Sequence, residues 1–147
     1  MPVYEIRMVA SKLSDAPTTT ARNAENSAQY LIGNCYNPDE MWREKAFAVF
    51  TDSRCNVKGH LLLSVGGTKS TSIDVKLIAK GALDLMADGV ILSHNHPTGD
   101  PTPSQDDLKQ TDKVKKALAC LDIKLLDHVI LGEGKAFSMC EERTFSI

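Results

Sequence analysis

Gly89-Val90-Ile91-Leu92-Ser93-His94-Asn95-His96-Pro97-Thr98-Gly99-Asp100-Pro101-Thr102-Pro103-Ser104-Gln105-Asp106-Asp107 runs from an apolar segment through a Pro- and Gly-rich connection into a helix start. Residues 89–93 lack polar alternation, the pattern of a central strand covered on both faces rather than an edge. If the chain stays extended past Ser93, alternate residues share a side, and His94 and His96 present imidazoles to one point. Pro97, Gly99, Pro101 and Pro103 then turn the chain back toward that point. In the helix that follows, Asp107 lies four residues before Thr111, seven before Val114 and eleven before Leu118, which places it on the inward stripe.

A carboxylate on an inward stripe needs a partner. Two neutral imidazoles and one carboxylate suit a borderline ion such as zinc, and three protein ligands leave a fourth position open, as in catalytic rather than structural sites. A plainer reading stands beside this one, because Ser104-x-x-Asp107 is also a capping-box pattern that satisfies the first backbone N–H groups of the helix. Asp100 and Asp106 are rival carboxylates. The fall of every element within fourteen residues, directly after a buried strand, favours the metal site.

Outward from this segment, residues 124–131 and 135–139 read as strands joined by Gly132-Glu133-Gly134. Upstream, Val75, Ile78, Ala79, Ala82, Leu83 and Met86 recur at helical spacing until Gly89. An almost continuous apolar run over 44–52 ends in the turn-prone Asp52-Ser53-Arg54-Cys55-Asn56 before 57–65 resumes, which predicts a hairpin. Residues 21–34 suit a helix with Ala24, Ala28, Ile32 and Cys35 on one face, broken at Asn37-Pro38. Residues 3–9 read as a strand and 14–20 as a loop. With no repeat or separating linker, the expected architecture is a two- or three-layer α/β sandwich.

The length of 147 residues is that of one domain. Lys plus Arg number 17 against 19 Asp plus Glu, so the net charge of -2 offers phosphate backbones no broad attraction. The apolar runs are too short to span a bilayer, and the start MPVYEIRMVASKL lacks a signal-peptide core, which predicts a cytoplasmic location and no membrane partner. Cys35, Cys55, Cys120 and Cys140 form no C-x-x-C pair and are expected to be reduced thiols. No pattern in the chain signals an oligomeric state.

His94-x-His96, seven residues, then Ser104-x-x-Asp107 resembles the signature of the JAB/JAMM metallohydrolases, also called MPN domains. The RadC branch is similar further, in His94-Asn95-His96-Pro97-x-Gly99, in Pro101-x-Pro103-Ser104 and in Leu126-Asp127-His128, over residues 39–147. The resemblance implies a cytidine-deaminase-like α/β fold, with a mixed β-sheet flanked by helices over 39–147 and residues 1–38 as an extension packed on it. It implies one Zn2+ per chain, held by His94, His96 and Asp107, and a glutamate opening the first core strand. Glu44 matches that glutamate, with Glu40 and Asp52 as weaker substitutes.

The implied chemistry is hydrolysis of a peptide or isopeptide bond, with a peptide or protein as substrate. Glu44 would take the proton of the attacking water and return it to the leaving amine, as a general base and then acid. Ser104 would donate to the developing oxyanion, or serve only as a helix cap. Longer RadC relatives carry a helix-hairpin-helix DNA-binding region before this domain, for which this chain has no room. The family's DNA-repair label gives a second expectation: a zinc-containing binding or scaffold module in DNA repair or mobile-element function, without hydrolase activity.

Other features carry less. Lys109, Lys113, Lys115, Lys116 and Lys124 have no interleaved aromatics for base stacking and read as a solvated face. Residues 66–70 lack phosphate-loop spacing and read as a strand-ending turn beside a substrate groove. His60 reads as an exposed strand residue, and His128 as a partly buried one bonded to a neighbouring strand or to a ligand's outer side. A nucleobase deaminase would need the P-C-x-x-C pair absent here, and an oxygenase iron site leaves S-x-x-D unexplained.

Overall fold

β3 (Gly89–Asn95) is buried at all seven positions, because it has a strand on each side and helices over both faces. In the computed structural model, which describes residues 1–7, 19–66 and 73–147, the described residues form one six-stranded sheet of order β2-β1-β3-β4-β5-β6. β1 (Lys45–Thr51) and β2 (Val57–Val65) make the expected hairpin. β4 (Lys124–Leu131) runs parallel to β3, and every other pairing is antiparallel. A parallel neighbour requires a crossover, supplied by α3 (Gln105–Ala119). The fold is therefore α/β with a mixed sheet.

The three layers follow from side-chain alternation. Ala46, Ala48 and Phe50 of β1 join Val90 and Leu92 of β3 in a core shared with Ile78 and Ala82 of α2 (Val75–Asp84) and with Val114 and Leu118 of α3. Phe47, Val49 and Ile91 point the other way, onto Ala24, Ala28 and Leu31 of α1 (Ala24–Asn34) and Tyr36. Each cluster is apolar and close-packed, so truncating a residue such as Leu118 to alanine should cost about 2–5 kcal/mol.

Several expectations shift. α1 begins three residues later than 21, capped by Asn23, whose side chain accepts from Asn26 N–H. Its buried stripe runs through Leu31, while Ile32 is 38% exposed. Leu83 and Met86, placed on the buried stripe of α2, are exposed, and α2 ends at Asp84. β5 (Lys135–Ser138) continues into an unforeseen β6 (Arg143–Ser146). Residues 1–7 carry no strand; positions 8–9 of that expected strand, 14–18 of the expected loop and 67–70 of the expected turn lie outside the described residues. Among the described residues no helix is long and apolar enough to cross a membrane.

Candidate metal centre

The end of β3 delivers two imidazoles. His94 is 3% exposed, and its neighbour across β1 is Ala46, a side chain small enough to leave room above the strand. His96 N–H donates to Leu131 O at 2.9 Å, so pairing with β4 persists one residue past the strand and keeps His96 on the face of His94. The chain then turns: Gly99 N–H donates to His96 O at 2.9 Å, and Gly99 has φ +88°. Gly99 O accepts from Glu133 N–H at 2.9 Å, which lays the connection on the turn between β4 and β5. A Cβ on Gly132 would sit 2.3 Å from Gly99 O, so only glycine permits this contact.

That connection sets the start of α3 against the histidines. Ser104 Oγ accepts from Asp107 N–H at 3.0 Å and Asp107 Oδ2 accepts from Ser104 N–H at 2.9 Å, a complete capping box. The cap and the ligand readings of Asp107 thus coexist, since the same carboxylate also faces both imidazoles. Its Oδ1 lies 3.3 Å from His94 Nε2 and its Oδ2 3.3 Å from His96 Nε2, while the two nitrogens are 3.0 Å apart. One ligand atom from each of the three residues lies within 4.8 Å of the others. A tetrahedral zinc with bonds of roughly 2.0–2.1 Å holds its ligand atoms roughly 3.3 Å apart, so the donor set fits such an ion in type and spacing. Asp100 is turned elsewhere, its carboxylate accepting from Thr102, and Asp106 accepts from Gln110.

The outer sides of the imidazoles are also held. His96 Nδ1 lies 2.8 Å from Asp100 O, and a carbonyl can only accept, so the proton is on Nδ1 and Nε2 faces inward. His94 Nδ1 lies 2.7 Å from Nε2 of His128, which is 1% exposed, and His128 Nδ1 lies 2.6 Å from Thr111 Oγ1. His128 reaches this position through an irregularity: the β3–β4 register slips between Val90 and Ile91, so Leu125 and His128, three apart, both face the α3 side. Asp127 stays on the other side and anchors the β5 end by accepting from Ser138 Oγ, His128 N–H and Cys140 N–H.

Charge follows this geometry. Burial pushes Asp107 up, but the close approach of the His94 and His96 imidazoles and the Ser104 N–H outweighs it and holds the carboxyl well below the usual carboxylate range. The nearby Asp107 carboxylate raises His96, since it favours the protonated ring, against the opposing effect of burial. Burial, reinforced by His94, pushes His128 down to about 3, so it is neutral.

Glu44 sits one residue before β1, and continuing the Ala46–His94 register by two residues sets it opposite His96, on the same face. Its charge acts on His96 in the direction that raises the imidazole. The backbone around it is pinned. Asn95, 0% exposed and pointing to the opposite face from the histidines, accepts from Lys45 N–H at 2.8 Å and donates to Met41 O and Arg43 O, each at 3.0 Å. Gly66 N–H donates to Glu44 O at 2.7 Å. The structure thus gathers His94, His96, Asp107, Ser104 and Glu44 at one end of β3. Neither Asn95 nor Thr111 has a role assigned from the sequence, although Asn95 stands between two histidines and Thr111 one turn after Asp107 on the inward stripe. His60, read as exposed, is half-buried with Nδ1 2.8 Å from Tyr30 OH.

The model of the RadC-like JAB domain family matches residues 21–144. The chain is 37% identical over 147 residues to a UPF0758 protein of Carboxydothermus hydrogenoformans, covering 92% of this chain and 65% of that one. It is 38% identical over 127 residues to a UPF0758 protein of Flavobacterium johnsoniae (86% and 53%) and 36% identical over 140 residues to one of Methanococcoides burtonii (95% and 60%). The chain spans between 53% and 65% of the length of these relatives. The family match takes in α1, in keeping with its place in the core.

Proposed function

The chain belongs to the RadC-like JAB domain family, and from that premise we propose that it is a zinc-dependent hydrolase of peptide or isopeptide bonds. The convergence of His94, His96 and Asp107 on one point, with Glu44 near enough for its charge to act on His96, is the observation that carries this reading. Bound there, zinc supplies Lewis acidity, which makes a water acidic near neutral pH and polarises a carbonyl.

The chain's own residues do the rest. His94 and His96 present nitrogen lone pairs, and Asp107 contributes a negative charge, its carboxyl being held below the usual carboxylate range. Glu44 takes a proton from the attacking water and hands it to the leaving amine, which leaves as a neutral group. Ser104 Oγ uses its lone pair on Asp107 N–H, so its own proton is available to an oxyanion, and capping does not preclude a catalytic part.

The test is zinc-loaded protein against a library of peptides and isopeptides. Wild type should cleave a subset, and Glu44→Gln should keep its zinc while losing about 10²–10⁴ in rate. Equal rates in the two would remove Glu44 from the mechanism. Failure of wild type to take up zinc would sink the proposal, and zinc uptake with no cleavage but salt-sensitive DNA binding would favour the scaffold role.

A further inference from the structure

His128 and Thr111 lie outside the cluster of His94, His96 and Asp107, yet they close a circuit between two of the proposed ligands. Thr111 Oγ1 lies 2.7 Å from the backbone oxygen of Asp107, one turn earlier on α3. A carbonyl oxygen has no proton, so the single proton of the Thr111 hydroxyl is committed to it. His128 Nδ1, 2.6 Å from the same hydroxyl, must then be the donor of that pair. His128 is buried and no carboxylate oxygen hydrogen-bonds its ring, so it carries one ring proton rather than two. Its Nε2 is therefore a lone pair, and His94 Nδ1, 2.7 Å away, is the donor to it. The remaining nitrogen of His94, Nε2, is left as the lone pair that faces His96 and Asp107.

We propose that His128 and Thr111 are positioning residues that lock His94 in the Nδ1–H tautomer, so that its Nε2 is ready to receive the metal. The direction of every proton in the circuit is dictated from its far end, by the backbone oxygen of Asp107. Asp107 thereby serves twice, with its carboxylate toward the centre and its carbonyl as the anchor that orients the other ligand. The register slip in β4 is the structural investment that makes this possible, since it turns His128 toward α3. The inference rests on the reading of His94, His96 and Asp107 as metal ligands.

Thr111 is the informative position, because its side chain touches none of the three ligating groups and reaches the site only through the His128 ring and the Asp107 backbone oxygen. Long-range proton–nitrogen NMR of metal-free protein at slightly alkaline pH should find His94 and His128 protonated at Nδ1 in wild type and in Thr111→Ser. Thr111→Val should give a mixture of tautomers at both rings. Zinc affinity, read by chelator competition, should fall about 10–100-fold in Thr111→Val and in His128→Leu. Thr111→Ser should match wild type, and His128→Gln, which restores an acceptor for His94 Nδ1, should recover part of the loss. Cobalt substitution checks that each variant still forms a tetrahedral site. An Nε2–H tautomer of His94 in wild type, or unchanged zinc affinity in both Thr111→Val and His128→Leu, overturns the proposal. Absence of zinc binding in wild type would instead overturn the metal-site reading and leave the tautomer measurement standing.

Discussion

On the face of the sheet beneath α3, the end of β3 presents His94, and His96 just beyond it, to a centre where three ligand groups crowd together. On the face beneath α1, the same strand presents Ser93 to the Tyr36 hydroxyl at 2.9 Å and Asn95 to three backbone groups of residues 41–45. The first face concentrates donors of electron pairs with mutual repulsion to relieve, which a cation can do. On the second, Ser93 and Asn95 spend their polar groups on partners within the fold. Strand alternation lets one segment do both: the histidines supply two of the proposed metal ligands, and the asparagine between them holds the backbone that carries Glu44. Two of the proposed ligands and the proposed general base are thus positioned from a single strand, through opposite faces.

The largest way to break this division is Asp107→Asn. The amide keeps an oxygen for Ser104 N–H and so keeps most of the cap, at a stability cost of about 1 kcal/mol. It removes the negative charge between the imidazoles. Zinc affinity should fall by more than the roughly 100-fold that follows loss of an outer partner of a metal ligand, while the thermal unfolding of metal-free protein changes little. Wild-type affinity in this variant would show that Asp107 is a cap only.

Asn95→Asp breaks the other face. The aspartate still accepts from Lys45 N–H but loses both donors and sets a carboxylate against the oxygens of Met41 and Arg43. Stability should drop by about 2–3 kcal/mol. Zinc affinity should stay near wild type in the folded protein, and any cleavage should fall in kcat rather than KM because Glu44 is loosened. Zinc affinity lost in step with stability would show that the two faces are not separable.

The sheet was legible where a local pattern decided it. The unbroken apolar run into β3, the turn residues at 52–56 and the glycines at 132 and 134 each specify an element from its own neighbourhood. The proposed metal ligands were legible because His94 and Asp107 lie only thirteen residues apart, with the cap of α3 doubling as the clue. What stayed hidden depends on distance along the chain. Asn95 meets partners 50 to 54 residues away, and Thr111 meets His128 only because β4 slips register. The stripe of α1 differed for a smaller reason: from Ala24 and Ala28 both Leu31 and Ile32 continue a helical face, and packing of α1 on the sheet buries Leu31 and leaves Ile32 partly exposed. In β6, Phe145 is the one buried residue of four, too little alternation to read.

The smallest effect comes from His60, which ties β2 to α1 on the second face through Tyr30 OH. Burial lowers its pKa from the ordinary value of about 6.5. A histidine depressed in the folded state binds its proton more readily when unfolded, so its contribution is intact above about 6.5 and is lost as pH falls through that value toward the folded one. The neutral ring accepts from Tyr30, and the protonated ring cannot. Acidification from slightly alkaline to mildly acidic pH should therefore lower Tm more in wild type than in His60→Gln, by about 2 °C or less because the ring is partly solvated. Zinc affinity should differ between the two at no pH, since His60 faces α1 and not the centre. A difference in zinc affinity that appears only on acidification would mean that strain on the α1 face passes through β1 to the ligands, and the two faces would have to be treated as one coupled unit.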